Sequence, residues 1–255
     1  MWMFISQLET ATDQDNIIFL LHSLSQKIGF TQFRMMFICP SSIQRPEVCI
    51  FNGCSLEWAR TYEKRHFFAI DPVVRKGMAQ STPILWANVI EKCRAEQDKA
   101  GLEVMLQAQE AGLQDGITFP WHGVHGHVGL LSWITSSTHT EHQWLKIAPF
   151  LHWLAVHFFE SFSRGGLYKC SSHDVLSLRE IEVCQWAAEG KQVSDIAKIL
   201  DITPRTVTFH LNKVIDKLGA SSKGQAISWA IKKGLIRLNI AAARIENIDN
   251  HRGHT

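Results

Sequence analysis

The stretch 163–174, "SRGGLYKCSSHD", limits what this chain can fold into more than any other. Its paired glycines and paired serines separate two helical patterns and read as a flexible linker. A chain of 255 residues divided at that point makes two ordinary domains. The expected limits are 1–164 for the first domain, 165–174 for the linker, 175–238 for the second domain and 239–255 for a tail. Composition is that of a globular protein, 45% hydrophobic and 20% charged, and no apolar run approaches the length of a membrane span. The first residues lack a basic region, and Glu9 and Asp13 arrive too early for a signal peptide. The six cysteines form no CxxC pair and mostly sit in apolar runs, so reduced thiols in a cytoplasmic protein are expected.

Charge divides the chain in the same way. Residues 1–170 carry 14 Lys and Arg against 15 Asp and Glu, whereas residues 202–238 carry 7 against Asp216 alone. A near-neutral body with one compact basic end points to an anionic partner at that end, although a solvated lysine-rich helical surface has the same composition.

The basic end is heavily punctuated. Ser177 with Glu180 three residues later is a capping box, and Gly190 stops the helix it opens. Val193, Ile196, Ala197 and Leu200 give a second helix one apolar face. After the three-residue turn "DIT", Thr203 caps a third helix with Pro204 at its first position. Val207, Leu211, Val214, Ile215 and Leu218 face inward in that helix, Gly219 ends it, and a fourth helix covers about 223–233. Two short helices joined by a tight turn, the second basic outside, form the pattern of a helix-turn-helix. Arg205, Thr206 and Thr208 then fall near phosphates or base edges, with His210, Asn212 and Lys213 continuing the surface. An ordinary four-helix bundle with solvated polar faces is the plainer alternative.

The front domain mixes types. "DNIIFLLHSLSQKIGF" reads as a helix ending near Gly29, and "FTQFRMMFICP" and "EVCIFNG" read as strands. Residues 55–66 form a helix capped by Ser55, a second helix runs from about Glu96 to Ala111, and "GITFPWHG" and "HVGLLSWIT" make a hairpin. From Trp144 to Phe162 a broad aromatic stripe recurs at helical spacing and serves as core, as an oligomer seam, or as both, with Pro149 early in the helix or kinking it. The expected fold class is therefore α+β for the front domain, followed by an all-α domain of four helices. Trp58 and Tyr62 share a helix face, Asp71 precedes Pro72, and Trp86 follows. From spacing alone these aromatics are core packing and Asp71 a turn residue. The same set also suits a pocket for a small amphipathic amide.

Residues 176–236 resemble the DNA-binding domain of LuxR-type regulators. The match is carried by "LSLRE", "AAEGK", "IAKIL", "TVTFHLNKVIDKL" and "KGLI", and Cys184 stands where Leu is usual. The front half, through "WARTYEKRHFFAIDPVV", Trp86 and "AGLQDGITFP", is similar to the autoinducer-binding domain of quorum-sensing LuxR proteins. Trp58, Tyr62, Asp71, Pro72, Trp86 and Gly116 occupy its six most characteristic positions.

That resemblance implies an α-β-α sandwich holding an N-acyl-homoserine lactone. In it Trp58 donates to the lactone carbonyl, Asp71 accepts from the amide N–H, and Tyr62 and Trp86 close over the head group. Ser132 matches a position that bonds the amide or acyl carbonyl side, while Thr208, Asn212 and Lys213 match outward positions used for DNA contact. Cys54 replaces a Tyr that commonly bonds the amide carbonyl, which leaves a less polar or wider site beside the amide. The expected partners are operator DNA, the lactone, a second copy of the chain and RNA polymerase, with no membrane and no cofactor beyond the ligand. The rival is a LuxR-type regulator that answers a non-lactone molecule or none. His122, His125 and His127 read as a polar hairpin loop and not as a metal site, and no GxSxG, P-loop or HExxH motif points to an enzyme.

Overall fold

A computed structural model describes residues 2–11, 13–30, 32–39, 46–123, 126–164 and 176–236. The whole of the expected linker at 165–174, and the tail at 239–255, lie outside these residues. The chain forms two compact units, Met1–Ser172 and His173–Thr255.

The first unit is built on a five-stranded antiparallel sheet in the order β2-β1-β5-β4-β3. Its strands are β1 (Gln32–Cys39), β2 (Glu47–Asn52), β3 (Ile84–Leu85), β4 (Asp115–His122) and β5 (Val128–Thr135). The last two form the expected hairpin, with Thr118 opposite Ser132. Helices cover both faces, so β1, β4 and β5 read as almost continuous apolar runs. On one face α1 (Trp2–Thr10), α2 (Gln14–Lys27) and α7 (Glu141–Arg164) pack on Phe33, Met35, Phe37, Phe119 and Trp133. On the other, α3 (Leu56–Lys64), α4 (Pro72–Gly77), α5 (Trp86–Ala95) and α6 (Lys99–Glu110) pack on Met36, Ile38, Leu130 and Ile134. This is the α-β-α sandwich.

Several expectations are revised in detail. The helix expected over 96–111 begins only at Lys99, because Gln97 adopts a left-handed backbone and Asp98 caps α6 through the Gly101 N–H. Helices α1, α4 and α5 did not announce themselves in the sequence. The aromatic stripe of α7 is core: Leu151, Leu154, Ala155, Phe158, Phe159 and Phe162 are all buried within their own unit. Pro149 lies inside this 24-residue helix and is exposed.

The second unit contains α8 (Leu178–Ala188), α9 (Val193–Ile199), α10 (Pro204–Leu218) and α11 (Lys223–Lys232). The Ser177–Glu180 capping box is present in both directions. Thr203 caps α10 through the Thr206 N–H, and Gly219 ends it at φ 60°, a conformation open to glycine. Val207, Leu211, Val214 and Leu218 are buried on the inner face of α10. Cys184 is fully buried, and that burial pushes its thiol up to about 11.

Candidate ligand cavity and DNA-facing helix

The residues expected around a ligand come from four different elements and converge on the α3–α6 face of the sheet. Trp58 and Tyr62, one turn apart on α3, pack ring to ring at 5.8 Å. Asp71 is more than a turn residue. It is the N-cap of α4, with Pro72 at the first helical position, and its Oδ1 accepts from the Val73 and Val74 N–H groups at 2.8 and 3.3 Å. The Tyr62 hydroxyl donates to Asp71 Oδ2 at 2.8 Å. An ionised carboxylate has about four acceptor positions, so Oδ2 retains capacity for one more donor. Burial pushes the Asp71 carboxyl above the usual aspartate range, opposed by Tyr62, by the Val73 N–H and by Arg34.

Trp86 opens α5 and lies flat over Gly116 on β4, where a Cβ would meet the indole ring at 3.0 Å. Its N–H is already used, donating to Thr118 Oγ1 at 2.9 Å, and Thr118 in turn bonds Ser132 Oγ at 2.8 Å. Trp58 differs: its indole N–H is buried and has no hydrogen-bond partner. Trp58, Tyr62, Asp71, Trp86 and Ser132 thus line one cavity of about 30 Å³, with Met36, Met105 and Leu130 among its apolar walls. That volume holds one or two waters and no acyl chain. Cys54 is not in the lining. It packs at the margin of the same cluster, and its thiol points to Asn52 Oδ1 at 3.7 Å.

The apolar walls went unnamed in the sequence reading, and so did one charged lining residue. Arg34 on β1 is buried, and its guanidinium lies 3.6 Å from the centre of the Tyr62 ring. The register makes Asn52, Arg34, Ser132 and Thr118 successive neighbours across four strands. The signal was a lone cation inside the apolar run "FRMMFIC", flanked by residues that all point to burial.

In the second unit, the outer face of α10 exposes Arg205, Thr208, Asn212 and Lys213. Thr206 and His210 are half-buried, and Thr206 is engaged with Thr203 at the cap. The Thr208 hydroxyl donates back to the Pro204 carbonyl, so only its acceptor side is open. Phe209, 56% exposed between these polar residues, was not anticipated, and Lys213 Nζ sits 5.7 Å from its ring centre. Lys217 is committed elsewhere, binding the buried Glu180 at 2.7 Å and tying α8 to α10. Burial works against the Glu180 charge, yet Lys217 and Ser177 hold its carboxyl below the ordinary glutamate value.

Residues 13–162 match the family described as autoinducer binding domain, and residues 174–230 match bacterial regulatory proteins of the luxR family. The chain is 35% identical over 247 residues to the transcriptional activator protein AhyR of Aeromonas hydrophila, covering 96% of this chain and 95% of that protein. The chain belongs to the LuxR family. The LuxR protein of Aliivibrio fischeri itself is 31% identical over 234 residues, covering 91% and 92% of the two chains. A crystal structure of Escherichia coli SdiA shares the fold at a TM-score of 0.76 and 22% identity, over 93% of this chain and 98% of that one. A second SdiA structure, in complex with octanoyl-rac-glycerol, gives a TM-score of 0.74 over 93% of this chain and 95% of that one. This LuxR-type chain is thus a quorum-sensing transcription regulator, with an autoinducer-binding domain followed by a DNA-binding one. Among the described residues no helix is long and apolar enough to cross a membrane, and no three metal-ligating side chains come together; His125 lies outside those residues.

Proposed function

We propose that the front domain binds an N-acyl-homoserine lactone and that the ligand-bound chain recognises operator DNA as a homodimer. The observation that carries the ligand reading is the buried, unpartnered Trp58 N–H beside the remaining acceptor capacity of Asp71. A lactone amide supplies the complement: a carbonyl for Trp58 and an N–H for Asp71. Each buried hydrogen bond left unmade costs roughly 1–3 kcal/mol, so a ligand that completes both binds selectively. Ser132 takes the amide or acyl carbonyl side, and Tyr62 and Trp86 cover the head group with their rings. Cys54 bears on the acyl side only from outside the lining. Acyl chain burial adds about 0.8 kcal/mol per methylene, which lets chain length set selectivity.

For DNA, α10 carries the recognition surface. Asn212 and Thr208 read base edges, while Arg205 and Lys213 neutralise phosphates near the helix N-terminus and centre, and Thr206 and His210 border that surface. One such helix covers one half-site, and a palindromic operator calls for two copies. RNA polymerase is the further partner if the chain activates, as the names of its relatives indicate for those proteins.

A second reading keeps the regulator but changes the ligand. Cys54 departs from the family pattern beside the amide, and an acyl chain on another polar head would fill the same walls. The deciding experiment is a dose–response panel of acyl-homoserine lactones in a reporter cell, with octanoyl-rac-glycerol as the second head group. Mass spectrometry of the small molecules that co-purify with the protein accompanies it. A half-maximal response at micromolar or lower lactone supports the first reading. Response to the glycerol ester alone, or operator binding indifferent to every ligand, supports the second.

A further inference from the structure

Arg34 stands where a charge is costly. It lies on a central strand at 7% exposure, and no carboxylate among the described residues reaches it within ion-pair distance. Its Nε–H is buried without a hydrogen-bond partner, and its guanidinium lies against the face of Tyr62. The unpartnered Nε–H of a guanidinium held this way is satisfied by an acceptor that enters the cavity it lines.

The charge in the cavity limits what that acceptor is. Arg34 and Asp71 are the two ionisable groups of opposite sign in the lining. Together they balance, so a neutral oxygen acceptor suits the site better than a second anion. Its location narrows the choice further. Arg34 is the cross-strand partner of Ser132, the residue given the amide or acyl carbonyl side. Cys54, the position from which a phenol would reach the same carbonyl, is outside the lining with its thiol directed to Asn52. Arg34 is therefore the strong donor left on the acyl side. A guanidinium offers its N–H groups as a planar fork suited to two oxygens at once. An unsubstituted acyl amide has one oxygen there. A 3-oxo acyl amide has two, on carbons separated by a single methylene, and they fall on the same side in a planar conformer.

We propose that Arg34 is a specificity-determining residue that selects autoinducers with a second oxygen next to the amide, a 3-oxo acyl group, by donating to both carbonyls. The assignment rests on the lactone reading. Its test uses the full chain in a reporter cell, with matched pairs of unsubstituted and 3-oxo acyl-homoserine lactones of six to twelve acyl carbons, at equal soluble protein. The wild type should respond to the 3-oxo member at a roughly tenfold lower concentration, as expected for one charged hydrogen bond. Arg34→Met should bring the two members within about threefold, weakening the response to both and to the 3-oxo member more, and Arg34→Lys should fall between. Equal wild-type response within each pair, which needs no variant to fold, overturns the assignment and leaves the lactone reading intact. A preference that persists in Arg34→Met overturns it as well. Silence of the wild type to every lactone overturns both together.

Discussion

Trp58 holds two opposed effects in one side chain. Its ring packs on Tyr62 and Phe67, while its N–H is buried without an acceptor. Trp58→Phe keeps most of the first and removes the second, so the ligand-free protein should change little in melting temperature. The same substitution removes the donor proposed for the lactone carbonyl, and the half-maximal lactone concentration should rise roughly tenfold or more. Asp71→Asn should match that loss of response, because an amide replaces the carboxylate proposed to accept the ligand N–H. Wild-type dose–response curves from both variants would remove these residues from the head-group site. The sequence made five of the lining residues visible, since aromatic spacing and the Asp-Pro pair are local signals. It hid two facts that depend on the sheet. Arg34 joins the set only through its register with Ser132, and Trp86 loses its donor to Thr118, thirty-two positions away.

At the scale of elements, the second unit was legible because its helices carry their own boundaries: Ser177, Thr203, Ser222 and Gly219 act within one turn of where they stand. The front unit was legible in its strands and less so in its short helices. Asp71 read as a turn residue and Trp86 as core packing or a pocket wall, although Pro72 begins α4 and the chain after Leu85 turns straight into α5. The α7 stripe shows the limit of periodicity, which reveals a face but not what covers it. Leu154 lies in the core, so Leu154→Asp should unfold the domain by burying a charge, at a cost of several kcal/mol, and cannot report on a dimer seam. The opposite side of the helix, with Leu145 at 58% and Val156 at 37% exposure, is the seam to probe. Val156→Asp should leave secondary structure unchanged and shift sedimentation of the liganded protein from dimer to monomer; an unchanged dimer would move the seam off α7. On α10, Asn212→Ala should relax discrimination between operator sequences, and Lys213→Ala should weaken all of them evenly while lowering the salt slope by about one. Binding isotherms at several salt concentrations separate the two effects, and unchanged isotherms in both variants would take this face off the DNA.

The whole molecule places two functions on two compact units and gives the first unit two separate cores, one on each side of its sheet. The core under α1, α2 and α7 is a dense aromatic assembly, in which Phe37 alone touches Trp121, Phe159 and Phe162. The core under α3 to α6 contains the proposed ligand residues and two methionines, Met36 and Met105, whose unbranched side chains repack at low cost. On the lactone reading, the cavity of about 30 Å³ in that second core bears on the rate of binding as well as on affinity. A molecule far larger than the space must wait for the walls to part, so the rate of entry is set by the protein and not by how much ligand surrounds it. In rapid-mixing fluorescence, with Trp58 and Trp86 as reporters, the observed rate should level off as lactone concentration rises; a rate that climbs linearly throughout would mean the door is already open. A sensor built this way averages its surroundings over the lifetime of its own closed state, and brief pulses of signal pass it by.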